Sequence, residues 1–157
     1  MSFVRTVTAT IDAAPETVFA LVADLTRHPE WADQHLTVHH TAGPDHGPGA
    51  EYTTRASHIL PHTTKSANGH VVVRESTPLR RFTYECWDEG GHYLWTFDLE
   101  PSGTGTRLSH TVQRLTGPLP VRILQPLMWK TFGGAQVRRG VANIKARTEA
   151  TAPAHQS

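Results

Sequence analysis

His110 is the side chain in this sequence best placed for acid–base chemistry. It lies in an alternating segment and shares its parity with Leu108 and Val112. Because alternate residues of a strand point to the same face, His110 faces the interior if those two side chains are core. A buried imidazole favours its neutral form and can accept or donate a proton near neutral pH. A structural histidine, satisfied by a neighbouring carbonyl or hydroxyl group, is the alternative that the sequence leaves open.

Three further residues are candidates for a catalytic role: Arg74, His35 and Tyr84. Arg74 and Glu75 are adjacent in a predicted strand, so only one of them can point inward. An inward Arg74 could hold an enolate or a carboxylate, whereas an outward one would be a solvated cation. His35 follows the segment around Trp31 and is a candidate for moving protons. Tyr84 is a second candidate for stabilising an enolate oxygen.

Aromatic side chains recur at alternating positions in two predicted strands, as in Tyr93, Trp95 and Phe97 and again in Phe82 and Tyr84. Each set can share one face of a sheet, where it would form either plain core or the wall of an apolar pocket. Three more candidates for ligand contact are Tyr52, His58 and Trp129. Trp129 precedes Gly133 and Gly134, which interrupt a predicted helix and cost about 1 kcal/mol each relative to alanine. Close backbone packing or space left for a ligand would explain these glycines.

Motifs for several other kinds of chemistry are absent from the sequence. It contains no Gly-x-Ser-x-Gly, no phosphate-binding glycine loop with a Lys-Ser/Thr pair, and no HExxH. Cys86 lies in the middle of a predicted strand, which favours a buried structural thiol over a nucleophile. His39 and His40 are adjacent and would point to opposite faces of a strand, while Pro61 breaks any helix that would align His58 with His62. We therefore expect no metal and no cofactor.

Length and composition indicate one domain of ordinary size. The chain has 157 residues, and 15 lysines and arginines against 14 aspartates and glutamates give a net charge of +1 with histidines neutral. A charge so close to zero argues against a nucleic-acid partner. No segment approaches the apolar length of a membrane span, and the one cysteine fits a cytoplasmic location. Eleven histidines predict a strong dependence on pH.

Hydrophobic periodicity changes along the chain from strand to helix, to strands, and to helix again. Residues 3–11 alternate as a strand, and Asp12 and Pro15 start a short helix that runs to about residue 24. A second helical turn is expected around residues 26–31. Six strands separated by turn residues follow, at residues 36–40, 52–59, 69–76, 80–88, 91–100 and 105–114. The last four of these strands are expected to form an antiparallel meander. A long helix, kinked at Pro126 and the two glycines, covers residues 120–147.

The order of these elements, together with a few local motifs, resembles the START-like or Bet v 1-like superfamily (SRPBCC), and within it the polyketide cyclase/dehydrase group. The motifs are Ile11-x-Ala13-x-Pro15-Glu16-x-Val18-Phe19, His28-Pro29-Glu30-Trp31, Pro78-x-Arg80-Arg81-Phe82 and Gly103-Thr104-Gly105-Thr106-Arg107-Leu108. The resemblance implies a helix-grip α+β fold. In this fold a curved antiparallel sheet of six to seven strands wraps around the long C-terminal helix and leaves an apolar cavity. Residues 1–147 would form one ligand-binding domain, and residues 148–157 a disordered tail.

Three functions from different classes are compatible with this resemblance. The first is cofactor-free cyclisation, dehydration or aromatisation of a polyketide-like or other polycyclic molecule, achieved by enclosure and by His110, His35 or Arg74. In cyclase relatives a phenolic residue contacts substrate near the position that His35 occupies here, so a cyclase mechanism does not transfer directly. The second is a carrier or sensor of an apolar ligand. The third is a protein-interaction module, which would expose an apolar patch. A homodimer is left open.

Overall fold

A computed structural model describes residues 2–32, 35–57 and 66–151 of the chain. Strand β1 (Phe3–Ile11) is followed by helix α1 (Pro15–Val22) and a 3-10 turn (Leu25–Glu30). Six strands come next: β2 (His35–Ala42), β3 (Glu51–Ser57), β4 (Ser66–Thr77), β5 (Arg81–Asp88), β6 (Gly91–Ser102) and β7 (Gly105–Thr116). Helix α2 (Leu119–Met128), a π turn (Trp129–Gly133) and helix α3 (Gly134–Thr151) complete the described part.

The strands form one seven-stranded antiparallel sheet in the order β1-β7-β6-β5-β4-β3-β2. Strands β2 to β7 are a continuous meander, and β1 pairs with β7 at one edge, with Val7 opposite His110. The helix-grip fold expected from the sequence, with two short helices after the first strand, is therefore confirmed.

The core lies between the inner face of the sheet and helix α3. Ile11, Phe82, Phe97 and Leu108 come from the sheet, Ile144 comes from α3, and all five are fully buried. Strand alternation explains the pattern, since Leu108, His110 and Val112 are buried while Arg107 is exposed. The inward direction of His110 follows from this register.

The C-terminal helix is longer than the sequence predicts and is interrupted by a π turn. Helix α3 continues to Thr151, so residues 148–151, which we expected in a disordered tail, are helical. Thr148 is buried and its hydroxyl donates to the carbonyl oxygen of Ile144, which ties this last turn to the helix. The remaining residues of the expected tail lie outside the described part. No helix among the described residues is long and apolar enough to cross a membrane.

Replacing Gly133 or Gly134 by alanine is expected to change the free energy of unfolding in opposite directions. A Cβ atom at Gly134 would lie 2.7 Å from the backbone oxygen of Trp129, whereas one at Gly133 would meet only ordinary contacts of 3.5 Å or more. Gly134→Ala is expected to lower the free energy of unfolding by about 1–2 kcal/mol, because overpacking exceeds the gain in helix propensity. Gly133→Ala should raise it by up to about 1 kcal/mol. Urea unfolding measures both, and equal effects would contradict the packing argument.

Candidate functional site

A cavity of about 150 Å³ lies between the inner face of the sheet, the 3-10 turn and the first half of α3. Its wall is mostly apolar and carries scattered imidazole, phenol and indole groups. No aspartate, glutamate, lysine or arginine is among the described residues that line it. The lining residues are Leu25, His28, Trp31, Ala32, Leu36, Val38, Tyr52, Thr54, Ala56, Val71, Tyr84, Cys86, Trp95, His110, Gln136, Val137 and Gly140.

His110 is surrounded by aromatic rings. Its imidazole stacks on Phe97 with ring centroids 4.0 Å apart, while Trp95 and Trp31 lie at 5.3 and 6.1 Å. Burial, with a smaller contribution from His28, lowers the pKa of His110 to about 3, so the ring is neutral at pH 7. Both ring nitrogens are buried and make no hydrogen bond with the described residues. A purely structural histidine would have a carbonyl or hydroxyl partner, and none is found among the described residues.

The 3-10 turn contributes the second imidazole. His28 stacks on Trp31 at 4.1 Å and meets the edge of Tyr84 at 6.3 Å. Burial lowers the pKa of His28 to about 4, so this ring is also neutral at pH 7. The indole nitrogen of Trp31 is buried and, like the ring nitrogens of His110, has no partner among the described residues.

Helix α3 holds the Trp31 indole in place against the sheet. Gly140 presents its bare backbone to the ring, since a Cβ there would lie 3.6 Å from the indole. The amide of Asn143 donates to the backbone oxygen of Trp31 at 3.0 Å. The ring edge also meets Phe97 at 5.7 Å. These contacts make Trp31 a rigid part of the cavity wall.

Two tyrosines and one cysteine supply the remaining titratable groups of the wall. Burial raises the pKa of Tyr84 far above its usual value, and the hydroxyl group of Tyr52 donates to the backbone oxygen of Asp45 at 2.9 Å. Burial also raises the pKa of Cys86 to about 12, so the thiol is protonated and a poor nucleophile. All of these groups are neutral at pH 7, and the described wall carries no formal charge.

Four of the residues chosen from the sequence line this cavity: His110, Tyr52, Tyr84 and Trp95. Phe82 and Phe97 face the same side of the sheet but belong to the core around the cavity. Tyr93 and Trp129 lie in a second apolar cluster with Phe3 and Val112, toward helix α2. His58 lies outside the described residues.

Arg74 and His35 do not line the cavity, contrary to the expectation from the sequence. Arg74 is the extra residue of a β-bulge, since Val73 pairs with Tyr84 and Glu75 with Thr83. Its guanidinium group lies on the outer face, 3.2 Å from a carboxylate oxygen of Glu85. His35 is exposed on β2, where the alternate residues Leu36 and Val38 face the cavity instead.

Several lining residues were not predicted from the sequence, and His28 is the most informative of them. The signal was present, because a spacing of three residues brings His28 and Trp31 to one side of a helical turn. Gln136 and Gly140 were also missed. Within the described ranges, no group of three or more histidines, cysteines or acids is placed to hold a metal ion.

Comparison with solved structures supports the fold assignment. The protein TTHA0849 from Thermus thermophilus is 19% identical and superposes with a TM-score of 0.71 over 96% of this chain and 100% of its own. CV1439 from Chromobacterium violaceum is 15% identical, with a TM-score of 0.70 over 93% and 97%. The protein Ara h 8.0201 is 15% identical, with a TM-score of 0.67 over 96% and 100%. No curated protein matches the chain.

A family model covers almost the whole described chain. The family described as polyketide cyclase / dehydrase and lipid transport matches residues 3–149, which include every strand and nearly all of the last helix. This match and the structural neighbours agree with the resemblance found in the sequence motifs. An apolar cavity between the sheet and α3 is also the feature that binding of a small hydrophobic ligand requires. The chain is a member of the polyketide cyclase/dehydrase and lipid transport family.

Proposed function

We propose that the protein binds an uncharged molecule of one or two rings that carries a hydroxyl or carbonyl group. The observation that supports this most directly is a set of three buried nitrogens without partners among the described residues: Trp31 Nε1, His110 Nδ1 and His110 Nε2. All three belong to residues that line the apolar cavity. A buried polar group without a partner costs about 1–3 kcal/mol. A ligand oxygen that accepts from Trp31 or pairs with His110 would recover part of this cost.

The size and charge of the cavity limit the ligand further. An apolar cavity of about 150 Å³ holds a benzene-sized molecule. Two fused rings fit if lining side chains move, so the ligand belongs to the small end of the polyketide-like compounds expected from the sequence. An ionised ligand would be desolvated without a countercharge, because the described wall has none.

The binding preference of the cavity can be measured with naphthalene derivatives. We expect 2-naphthol to bind more tightly than naphthalene, and 2-naphthoate to bind at least tenfold more weakly than 2-naphthol, since only the carboxylate is charged at pH 7. Isothermal titration calorimetry measures the three affinities. His110→Phe and Trp31→Phe should each reduce the preference for 2-naphthol over naphthalene while leaving naphthalene binding in place. Tightest binding of 2-naphthoate would contradict the proposal.

Catalysis in the same cavity is the second candidate, and the free nitrogens of His110 favour it. Enclosure would restrict a flexible chain to one geometry of intramolecular attack, and the neutral imidazole would move a proton. A pKa of about 3 makes the unliganded ring a weak base at pH 7, which favours binding over catalysis as the first proposal. His110→Gln separates the two, because glutamine keeps a hydrogen-bond donor and acceptor but cannot titrate. An enzyme would lose turnover of a reactive polyketide-like substrate, whereas a carrier would keep its affinity.

A further inference from the structure

Helix α2 exposes an apolar face that the cavity does not use. Leu119, Ile123, Leu124 and Leu127 are between 50% and 66% exposed, and they are the four most exposed large apolar side chains among the described residues. Three of them, Leu119, Ile123 and Leu127, recur every four residues and form one stripe along the helix, with Leu124 beside it. None of the ten residues of α2, all of which are described, is buried.

The opposite side of α2 is fixed to the sheet, so the apolar stripe is held outward. The guanidinium group of Arg114 donates to the side-chain oxygen of Gln125, and the amide nitrogen of Gln125 lies 3.3 Å from the hydroxyl group of Tyr93. At the end of α2, Trp129 meets the edge of Phe3 at 5.7 Å. These contacts position the helix as a ridge on the surface.

The chain segment that contains this ridge is rich in cations, and the nearest acids are Asp88 and Glu89 at the turn between β5 and β6, which contacts Gly117 just before α2. Between Pro101 and Thr148 the sequence contains no aspartate or glutamate, and its eight charged residues are all cations: Arg107, Arg114, Arg122, Lys130, Arg138, Arg139, Lys145 and Arg147. Arg122 and Lys130, on α2 and just after it, are exposed, as is Arg138 in α3. The whole chain has a net charge of only +1, so positive charge is concentrated in this part.

We propose that α2 docks on an anionic lipid surface, with Leu119, Ile123 and Leu127 among the acyl chains and Arg122 and Lys130 at the headgroups. A helix with one apolar face and flanking cations is the arrangement that binds in the interface of such membranes. A second copy of the chain fits less well, because a twofold interface through α2 would bring the same cations together.

Docking through α2 would place the lipid surface close to the cavity wall. The π turn links α2 to α3, and Gln136 and Val137 in the first turns of α3 line the cavity. The docking proposal itself does not depend on the proposed function. Binding of the empty protein to lipid and binding of 2-naphthol are separate measurements, so either can fail without the other.

Flotation with vesicles tests the proposal on the full chain. We expect binding to vesicles of phosphatidylcholine with 30 mol% phosphatidylglycerol, and at least tenfold weaker binding to phosphatidylcholine alone or in 0.5 M NaCl. Ile123→Ser/Leu127→Ser and Arg122→Glu/Lys130→Glu should each weaken binding at least tenfold. The matched control Val4→Thr/Leu115→Thr changes two exposed apolar residues of the sheet and should bind like the parent. Circular dichroism confirms that each variant is folded.

Three outcomes would overturn the proposal. The first is no flotation of the parent protein with anionic vesicles. The second is flotation that neither pair of α2 substitutions weakens. The third is a parent protein that does not bind vesicles but is a dimer in light scattering, and whose dimer is dissociated by Ile123→Ser/Leu127→Ser. The apolar stripe would then contact a second copy of the chain.

Discussion

Acidifying the protein from pH 7 to pH 5 is expected to lower its free energy of unfolding by about 4 kcal/mol, through His28 and His110 alone. The folded-state pKa values are about 4 and about 3, both below the value of 6.5 expected in the unfolded chain. Between pH 6.5 and pH 4 the unfolded chain therefore binds two protons that the folded chain excludes. The stabilisation that comes from keeping His28 and His110 neutral is fully present above pH 6.5 and is lost progressively as the pH falls toward 3. Each pH unit in this window costs about 1.4 kcal/mol per histidine.

Carboxylates whose pKa values are lowered by ion pairs contribute to acid sensitivity only at lower pH. Ion pairs with Arg27 and Lys145 lower the pKa values of Glu30 and Glu149 below 4.5, so their contribution is lost below that pH. The interval from pH 7 to pH 5 consequently reports mainly on the imidazoles of His28 and His110. For a chain of this size, a loss of about 4 kcal/mol corresponds to a fall in Tm of about 10 °C.

Phenylalanine variants identify the histidines responsible. His110→Phe should reduce the loss at pH 5 to about 2 kcal/mol, because only His28 then excludes a proton. The double variant His28→Phe/His110→Phe should lose less than about 1 kcal/mol. His46→Phe, on the exposed loop between β2 and β3, is the matched control and should keep the loss of the parent. Urea unfolding at pH 7, 6 and 5 measures these values, and an unchanged loss in the double variant would refute the assignment.

The fold was predictable because its determinants are local in the sequence. Periods of two in the strands and of about four in the last helix, with turn residues between them, predicted the elements and an antiparallel meander of the last four strands. The helix grip was implied by the resemblance of the element order and local motifs to the START-like or Bet v 1-like superfamily. The same alternation placed His110 inward, because β7 runs without a bulge beside its neighbours Leu108 and Val112. Tyr84 and Trp95 were identified as wall residues for the same reason.

The misplaced residues depended on features that the sequence pattern does not show. Arg74 directly follows Val73, which is buried on the inner face, so alternation places its guanidinium group on the outer face. The sequence pattern of β4 did not show which of its two faces is the inner one. His28 belongs to a 3-10 turn too short to display a period. Gly140 was not recognised because its role depends on the approach of Trp31, which is distant in the sequence.

A large side chain introduced into the cavity is expected to abolish ligand binding, which is the second large effect. Ala56 on β3 is a small side chain that lines the cavity, and its neighbours on the same face include Tyr52 and Thr54. Replacement by tryptophan would put an indole group into a space of about 150 Å³. We expect Ala56→Trp to weaken 2-naphthol binding at least a hundredfold, because an apolar cavity of this size cannot hold both an indole group and a ligand.

Thr53→Trp is the matched control for this experiment. Thr53 lies on the same strand, three residues earlier, but its side chain is exposed on the opposite face of the sheet, so a tryptophan there leaves the cavity unchanged. The control should bind 2-naphthol like the parent in calorimetry. Ala56→Trp should remain folded, with a Tm close to that of the parent, since the new ring fills space instead of displacing packed atoms. Parent-like binding by a folded Ala56→Trp would mean that the ligand binds outside the cavity, and the proposed function would then have to be abandoned.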